Sequence, residues 1–133
     1  MYLFDTDVIS NLFKPKPSRK LLVKLRTVSQ QDQYISTITV SEIVYGAVRS
    51  ARADYHLMIL QEKLLPSINI AGFDTKAAFI CGRIRAKLEM QGQPLPLADL
   101  EIASIAISNE FTLITGNTKH FQRINELDLE NWL

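Results

Sequence analysis

The stretch YLFDTDVI, residues 2–9, joins a short apolar run to two acids and then to a second apolar run. The first run has the length of a buried strand, and Asp5 and Asp7 follow it directly. A helical pattern begins near Val8 and must end before Pro15, since a residue that precedes proline avoids the helical region. A buried strand that leads at once into a helix predicts the start of a βαβ unit with a parallel sheet.

The rest of the chain repeats this alternation. Further strands are predicted over Tyr34–Ile38, Ile68–Ile70 and Thr112–Thr115, and a short final element ends at Trp132. Helices are predicted from a Ser18 cap to Val28, over Thr39–Arg52, over Asp54–Leu65, from an Asp74 cap to Gln91 before Gly92, and over Leu97–Asn109. The chain has no repeat or long linker. We therefore expect residues 1–133 to form one domain, a three-layer α/β/α sandwich with a four- to five-stranded, mainly parallel sheet.

Composition favours an ordinary globular protein. The chain has 133 residues, 47% of them hydrophobic, and a formal net charge of +1, so disorder is not expected and any nucleic acid must be attracted by local patches. Cys81 is the single cysteine, which excludes an internal disulfide and suits a reducing cytoplasm. No apolar run has the length of a membrane span, and the N-terminus lacks the basic region of a signal peptide.

Acidic and amide side chains fall at the ends of the predicted strands. Asp5 and Asp7 follow the first strand, Glu42 lies in the first turn of the helix after the second, and Asn117 follows the strand that ends at Thr115. Asp99 lies in the first turn of its own helix. Ligands of an open parallel sheet bind beyond the carboxyl ends of its strands, so these residues are the candidate site.

Three of these acids could instead serve only the helices in which they lie. Asp7 precedes a helix and fits an N-cap equally well. Glu42 lies three residues after Thr39, which is the spacing of a capping box and is the preferred local interpretation. Asp99 in a first turn is favoured by the helix dipole.

Asp99 is the acid whose position helix chemistry accounts for least well. The positions three, four and seven residues after it are Ile102, Ala103 and Ala106, which places Asp99 on the apolar face of its helix. Glu101 aligns instead with polar Ser104 and is expected on the solvent-exposed face. A buried carboxylate has to be paired, neutralised or bound to a metal.

Asp5, Glu42 and Asp99 would repel one another if the fold brings them together. Two like charges about 4 Å apart repel by about 4 kcal/mol at an effective dielectric near 20. A divalent cation relieves this repulsion, and oxygen ligands without a His or Cys cluster favour Mg²⁺ or Mn²⁺ over zinc. Such ions activate water for attack at phosphorus.

Four segments, in order along the chain, resemble the motifs of PIN domains, and in particular those of VapC toxins. They are FDTDVI at 4–9, TVSEIVYG at 39–46, PLADLEIA at 96–103 and LITGNTKHF at 113–121; LDLENW at 127–132 resembles the family's ending. The resemblance implies a Mg²⁺- or Mn²⁺-dependent endoribonuclease that is inhibited by a VapB-type antitoxin and is usually a homodimer. It also implies that Asp5, Glu42 and Asp99 are the metal-binding acids.

This chain departs from the family pattern in two places. Asp7 stands where asparagine is commoner, which adds a possible further ligand. Asn117 and His120 stand where the fourth motif often carries acids. Asn117 can still bind a metal through its carbonyl oxygen or orient a water, and the lost charge favours one metal over two. His120 is interpreted as a surface or core residue in preference to a general acid.

RNA requires positive charge near the cleft. Arg49, Arg83 and Lys87 are the predicted RNA-binding residues, with further cations in the stretch Lys14–Lys20; an ordinary solvated helix face would account for each equally well. Gly46, one turn after Glu42, either opens the pocket or allows close helix packing.

Two other functions are open at this point. Asp5 and Asp7 after an apolar strand partly resemble the start of phosphatases and phosphotransferases that use a covalent aspartate. Asn117 also allows a catalytically inactive PIN-like binding module. The leading hypothesis is hydrolysis of RNA phosphodiester bonds.

Overall fold

Five short strands form one fully parallel sheet. The computed structural model describes all 133 residues. The strands are β1 (Tyr2–Phe4), β2 (Gln33–Ser36), β3 (Asn69–Ala71), β4 (Thr112–Ile114) and β5 (Leu129–Glu130), in the spatial order β3-β2-β1-β4-β5. β2 and β3 lie on one side of β1, and β4 and β5 lie on its other side. The order therefore reverses between β1 and β4, which is where open parallel sheets bind ligands.

Seven α-helices cover the two faces of the sheet. They are α1 (Thr6–Leu12), α2 (Arg19–Arg26), α3 (Thr37–Arg49), α4 (Ala53–Ile59), α5 (Thr75–Met90), α6 (Leu97–Ser108) and α7 (Thr118–Phe121). The predicted three-layer α/β/α sandwich is confirmed, and the sheet is parallel throughout. No helix is both long and apolar enough to cross a membrane.

The core consists of two clusters, one on each face of the sheet. Neighbouring residues of a strand point to opposite faces, so Leu3 packs into the cluster beneath α5 and α6, and Phe4 into the cluster beneath α1 and α2. Both side chains are at most 2% exposed. A parallel strand covered on both faces needs an unbroken apolar run, which is why residues 2–4 are apolar without alternation.

The predicted helix caps at Ser18 and Asp74 are confirmed. The Ser18 hydroxyl accepts a 3.3 Å hydrogen bond from the Leu21 amide, and the Asp74 carboxylate accepts one of 2.9 Å from the Ala77 amide. Gly92 follows α5 with a φ of +69°, a left-handed conformation that favours glycine and ends the helix.

The predicted boundary between the second strand and its helix was wrong. β2 ends at Ser36, and α3 begins at Thr37, so Ile38 is helical and not part of the strand. Ser36 is the N-cap, because its hydroxyl accepts a 2.9 Å hydrogen bond from the Thr39 amide. A serine that caps the helix stabilises its earlier start, despite the β-branched residues that suggested a longer strand.

The helix predicted over Asp54–Leu65 is not a single α-helix. α4 ends at Ile59, a π-helical segment follows over Leu60–Leu64, and a 3₁₀ turn over Leu65–Ser67 leads to β3. The wider π turn accompanies the burial of both Leu60 and Leu64 under the sheet.

Candidate active site

The sequence-predicted acids meet in one cavity at the carboxyl edge of the sheet. This acidic cavity has a volume of about 470 Å³ and lies where the strand order reverses. Its lining residues are Asp5, Thr6, Asp7, Ser10, Glu42, Asp99 and Asn117. None of these side chains is basic, so the carboxylates have no cationic partner within the cavity.

Asp5 is the most buried acid of the cavity, with 7% of its surface exposed. It is the N-cap of α1: its Oδ1 accepts a 2.8 Å hydrogen bond from the Thr6 amide. Its Oδ2 accepts a 2.8 Å hydrogen bond from the Thr115 hydroxyl at the end of β4. Burial raises the pKa of Asp5 to about 6; the Thr115 hydrogen bond opposes this rise, and the nearby charges of Asp7 and Asp99 add to it.

Asp7 lies in the first turn of α1 and is not its cap, so the N-cap interpretation was wrong. Its Oδ2 accepts a 2.9 Å hydrogen bond from the Gly116 amide, whereas its Oδ1 is buried and has no hydrogen-bond partner. Burial is the largest of the effects that raise the pKa of Asp7, and the charge of Asp99 adds to it. A buried carboxylate oxygen that no protein group satisfies is suited to contact a cation.

Glu42 is exposed and lies in the second turn of α3, one turn later than predicted. Its Oε1 accepts a 2.7 Å hydrogen bond from the Thr6 hydroxyl. That hydroxyl lies 3.1 Å from the Thr39 hydroxyl, which in turn lies 3.3 Å from that of Ser36. The capping-box interpretation of Glu42 was therefore wrong, because Ser36 caps the helix and Thr39 lies inside it.

Asp99 lies in the first turn of α6, and its side chain is 21% exposed. Ile102, Ala103 and Ala106 are fully buried beneath it, as predicted. The prediction of a solvent-exposed face along Glu101 was wrong, because Ser104 is also fully buried and donates to the Leu100 carbonyl. α6 is a central helix that is covered on almost all sides, which accounts for its weak amphipathic pattern.

His120 lies in α7 and contacts Asp99, and Asn117, the residue before α7, contacts His120. The Asn117 side-chain nitrogen lies 2.9 Å from Nδ1 of His120, and the same Nδ1 lies 3.5 Å from Oδ2 of Asp99. His120 is therefore neither a core residue nor remote from the cavity, although 41% of its side chain is exposed. It contacts an amide and a carboxylate that line the cavity.

The donor set of the cavity fits a hard divalent cation. Carboxylates predominate, hydroxyl and amide oxygens lie among them, and Oδ1 of Asp7 has no hydrogen-bond donor. The arrangement is open, however: no three His, Cys, Asp or Glu side chains lie close enough together to hold an ion as they stand. The predicted cluster of Asp5, Glu42 and Asp99 is thus gathered around one cavity without closing into a three-ligand group.

The three predicted RNA-binding cations lie outside the acidic cavity. Arg49 donates a 2.8 Å hydrogen bond to the Tyr45 hydroxyl and lies over its ring. Arg83 lines a separate shallow cavity on α5, and Lys87 pairs with Glu126 at 3.7 Å. Their part in RNA binding stays a prediction.

An apolar groove adjoins the acidic cavity between α1, α3 and α4. It has a volume of about 460 Å³ and shares Thr6, Ser10 and Glu42 with that cavity. The apolar residues that line it include Ile9, Phe13, Ile43, Ala47, Ile59 and Leu60. Gly46 lies in this groove, and no atom lies within 4 Å of the position that a Cβ would occupy. Its lack of a side chain opens the groove and does not serve close helix packing.

Sequence reasoning missed the hydroxyl residues of the site. Thr6 and Thr115 each donate a hydrogen bond to a carboxylate of the cavity, and Ser10 lines it. Thr6 lies between the two acids of the first segment, and Thr115 ends the strand that leads to Asn117. Their place in the sequence beside the candidate ligands was the signal that could have found them.

The parallel sheet and the acidic cavity at its switch point define an α/β domain with the architecture and acid placement of a PIN domain. The model of the PIN domain family matches residues 2–127, and the chain belongs to this family.

Curated relatives span nearly the whole chain. The "tRNA(fMet)-specific endonuclease VapC" of Shigella flexneri is 33% identical over 132 residues, which covers 98% of this chain and 97% of the relative. "Ribonuclease VapC2" of Rickettsia felis is 34% identical over 140 residues, which covers 99% of this chain and 98% of the relative.

Solved structures agree with the fold. The structure of FitAcB from Neisseria gonorrhoeae matches with a TM-score of 0.91 and 29% identity, covering 98% of this chain and 97% of that chain. The structure of VapBC2 from Rickettsia felis, bound to a DNA fragment from its promoter, matches with a TM-score of 0.90 and 32% identity, covering 99% and 98%. The fold prediction is thereby confirmed.

Proposed function

We propose that this protein is a Mg²⁺- or Mn²⁺-dependent endoribonuclease, the toxin of a VapBC-type toxin–antitoxin pair. The observation that carries the proposal is the cavity at the sheet's switch point, in which four carboxylates meet and which no lysine or arginine lines. The VapC relatives, which are named as ribonucleases, supply the substrate class.

Asp5 and Asp99 are the residues proposed to hold the ion, with Asp7 and Asn117 as further oxygen donors beside them. Asp5 is held by hydrogen bonds from the Thr6 amide and the Thr115 hydroxyl, so its carboxylate is oriented before any ligand arrives. When bound, the ion supplies positive charge that offsets the negative charge developing on the phosphoryl oxygens.

Glu42 is proposed to accept the proton of the attacking water. Its Oε1 is held by the Thr6 hydroxyl at 2.7 Å, and Oε2 has no hydrogen bond within the chain. An exposed carboxylate that is anchored through one oxygen leaves the other free to approach a water at the cavity mouth. This water would attack phosphorus opposite the leaving ribose oxygen.

The test is cleavage of a labelled RNA by the wild-type protein, with Mg²⁺, with Mn²⁺ and with EDTA. We expect Asp5→Asn and Asp99→Asn to lower the rate by about a hundredfold or more without unfolding the chain. Glu101→Gln is the matched control, because it removes a carboxylate from the same helix outside the cavity. Full activity in EDTA, or in Asp99→Asn, would contradict the metal mechanism.

The two alternative functions find less support. A covalent aspartate has to reach phosphorus itself, whereas Asp5 is only 7% exposed. Detection of phosphorylated Asp5 would reverse that preference. A catalytically inactive module would neither bind Mn²⁺ in calorimetry nor cleave RNA.

The partner proposed is a VapB-type antitoxin, since structural neighbours include toxin–antitoxin complexes. The apolar groove beside the acidic cavity is proposed as the binding site for an amphipathic segment of the antitoxin. We expect Gly46→Trp to fill the groove and prevent co-purification with an antitoxin encoded beside the gene. Gly82→Trp, on α5, is the control.

We also propose that the protein is a homodimer and acts in a reducing cytoplasm. The single, buried Cys81 fits such a compartment. Light scattering of the purified protein will give its mass in solution, and a monomer at all concentrations would contradict the dimer.

A further inference from the structure

Positive charge is concentrated in one segment of the chain. Residues 8–31 contain six lysine and arginine residues and no acid, and all six are exposed. They are Lys14, Lys16, Arg19, Lys20, Lys24 and Arg26. The remainder of the chain carries nine basic and fourteen acidic residues, a formal net charge of −5. The net charge of +1 is therefore the sum of a strongly basic segment and an acidic remainder.

None of these six cations is used in an ion pair. The two Lys or Arg ion pairs of the protein join Arg85 to Glu89 and Lys87 to Glu126, and the remaining close contact of this kind is that of His120 with Asp99. Arg19, Lys20 and Lys24 line one shallow depression on α2, together with Val23 and Thr27. We name these three cations the α2 cationic surface.

The α2 cationic surface lies at the same edge of the sheet as the acidic cavity. Lys20 donates a 2.8 Å hydrogen bond to the carbonyl of Asn131, the first residue after β5, and Lys24 lies 5.9 Å from the centre of the Trp132 ring.

A short chain of contacts then leads into the cavity. A Cβ built on Gly116 would lie 2.8 Å from the Leu133 side chain and 2.9 Å from Oδ2 of Asp7. Asp7 lines the cavity. The route from the cations to the carboxylates is therefore Lys20, Asn131–Leu133, Gly116 and Asp7.

A substrate with many phosphates needs positive charge near the acidic cavity. The cavity is lined by four acids and no cation, so it repels phosphate before a metal is bound. A phosphodiester has to enter that cavity for the proposed reaction. Cations that lie beside it, at the same edge and without acidic partners, attract the neighbouring phosphates of the same strand.

We propose that the α2 cationic surface binds the phosphate backbone of single-stranded RNA next to the scissile bond. The proposal rests on the proposed ribonuclease function. It adds the position of the RNA backbone outside the acidic cavity. It favours this surface over Arg83 and Lys87, which lie on α5. RNA is favoured over an acidic protein segment because the contacts through Asn131–Leu133 and Gly116 connect this surface to the cavity in which the phosphodiester must lie.

The experiment measures the binding of a fluorescent, unstructured RNA by anisotropy in an Asp99→Asn background, which separates binding from cleavage. Lys20→Gln/Lys24→Gln removes two charges from the surface. Lys76→Gln/Arg85→Gln is the matched control; Lys76 lies against the Ser108 carbonyl at the opposite end of α6 from Asp99. Arg19→Gln is a second variant, whose side chain has no hydrogen bond or ion pair to lose.

We expect the α2 double variant to raise the Kd about tenfold at low salt and the control to change it less than about threefold. The slope of log Kd against log salt, measured between about 50 and 200 mM, should fall by about one in the α2 variant only. Arg19→Gln should show a smaller change in the same direction.

Three outcomes would overturn the proposal. They are equal RNA affinity of the α2 and control variants, no RNA binding by the Asp99→Asn parent, and loss of antitoxin binding with unchanged RNA affinity. RNA binding that follows the α2 charges, in a wild-type protein that cleaves no RNA, would instead contradict the proposed function and leave the RNA-binding surface in place.

Discussion

The hydroxyl of Thr115 donates a 2.8 Å hydrogen bond to Oδ2 of Asp5, across 110 positions of sequence. The same hydroxyl oxygen accepts a 3.0 Å hydrogen bond from the Asn117 amide. Thr115 thereby joins the buried acid after β1 to the loop after β4. These are the two strands between which the order of the sheet reverses.

Replacement of Thr115 by valine should loosen the site while keeping its shape. The variant removes a donor from a buried carboxylate, which should lower the free energy of unfolding by about 1 to 3 kcal/mol. It should also raise the pKa of Asp5 further, because the hydrogen bond opposes the effect of burial. Urea denaturation of Thr115→Val is the measurement, and Thr115→Ser is the control that keeps the hydroxyl. A loss in Thr115→Val no larger than that in Thr115→Ser would contradict the predicted role of the hydroxyl.

The stability of the metal-free protein should fall as pH rises from about 4 to 7. The pKa of Asp5 rises from 3.8 to about 6 on folding, so in this window the native state binds the proton more tightly than the unfolded state. Ionisation of the buried acid then costs up to about 3 kcal/mol above pH 6, a cost that is absent at about pH 4.

This pH dependence should be reduced in Asp5→Asn, whose side chain does not ionise. Denaturation curves of both proteins at about pH 5 and about pH 7.5, with EDTA, give the difference that belongs to Asp5. Parallel profiles for the two proteins would contradict the prediction. Added Mn²⁺ should stabilise the wild-type protein most at the higher pH, where the carboxylates are ionised.

Gly116→Ala should disturb the loop that holds Asp7. The new Cβ would lie 2.8 Å from the Leu133 side chain and 2.9 Å from Oδ2 of Asp7, so at least one of them must move. We expect a loss of about 1 to 3 kcal/mol in the free energy of unfolding. Gly82→Ala in α5 is the control: nothing lies within 4 Å of its Cβ position, and alanine should stabilise the helix by up to about 1 kcal/mol. Thermal denaturation that ranks the two variants in the opposite order would refute the predicted clash.

His120→Ala should weaken metal binding through Asp99 and Asn117. Nδ1 of His120 lies 2.9 Å from the side-chain nitrogen of Asn117 and 3.5 Å from Oδ2 of Asp99. Removal of the ring therefore takes away a contact from both side chains. Groups that orient metal ligands typically contribute tenfold or more to affinity, and we expect about a tenfold rise in the Kd for Mn²⁺.

Isothermal titration calorimetry with Mn²⁺ tests this prediction. His120→Gln should retain part of the affinity, because its amide can replace one of the two contacts. Lys119→Ala, a change at the exposed neighbouring position, is the control. A Kd for His120→Ala equal to that of Lys119→Ala would remove His120 from the site.

Much of the fold followed from local signals in the sequence. Unbroken apolar runs predicted buried strands, and polar residues at Ser18 and Asp74 predicted helix starts, because a cap and its amides lie within three residues of each other. The same reasoning failed at α3, where Ser36 and Thr39 are both acceptable caps. Only the packed structure distinguishes them.

The sequence by itself determined the apolar strands, the order of strands and helices along the chain, and the placement of Asp5 after a strand and of Asp99 at a helix start, since each depends on residues close together in the chain. The tertiary structure alone decided that Thr6 anchors Glu42, that Thr115 anchors Asp5 and that one oxygen of Asp7 has no donor. It also decided that Lys20 on α2 contacts the carbonyl of Asn131, at the edge of the sheet where the cavity lies. The hydrogen bonds of Thr6 with Thr39 and Glu42, and of Thr115 with Asp5, join residues 33 to 110 positions apart, and their distances depend on how whole helices pack on the sheet.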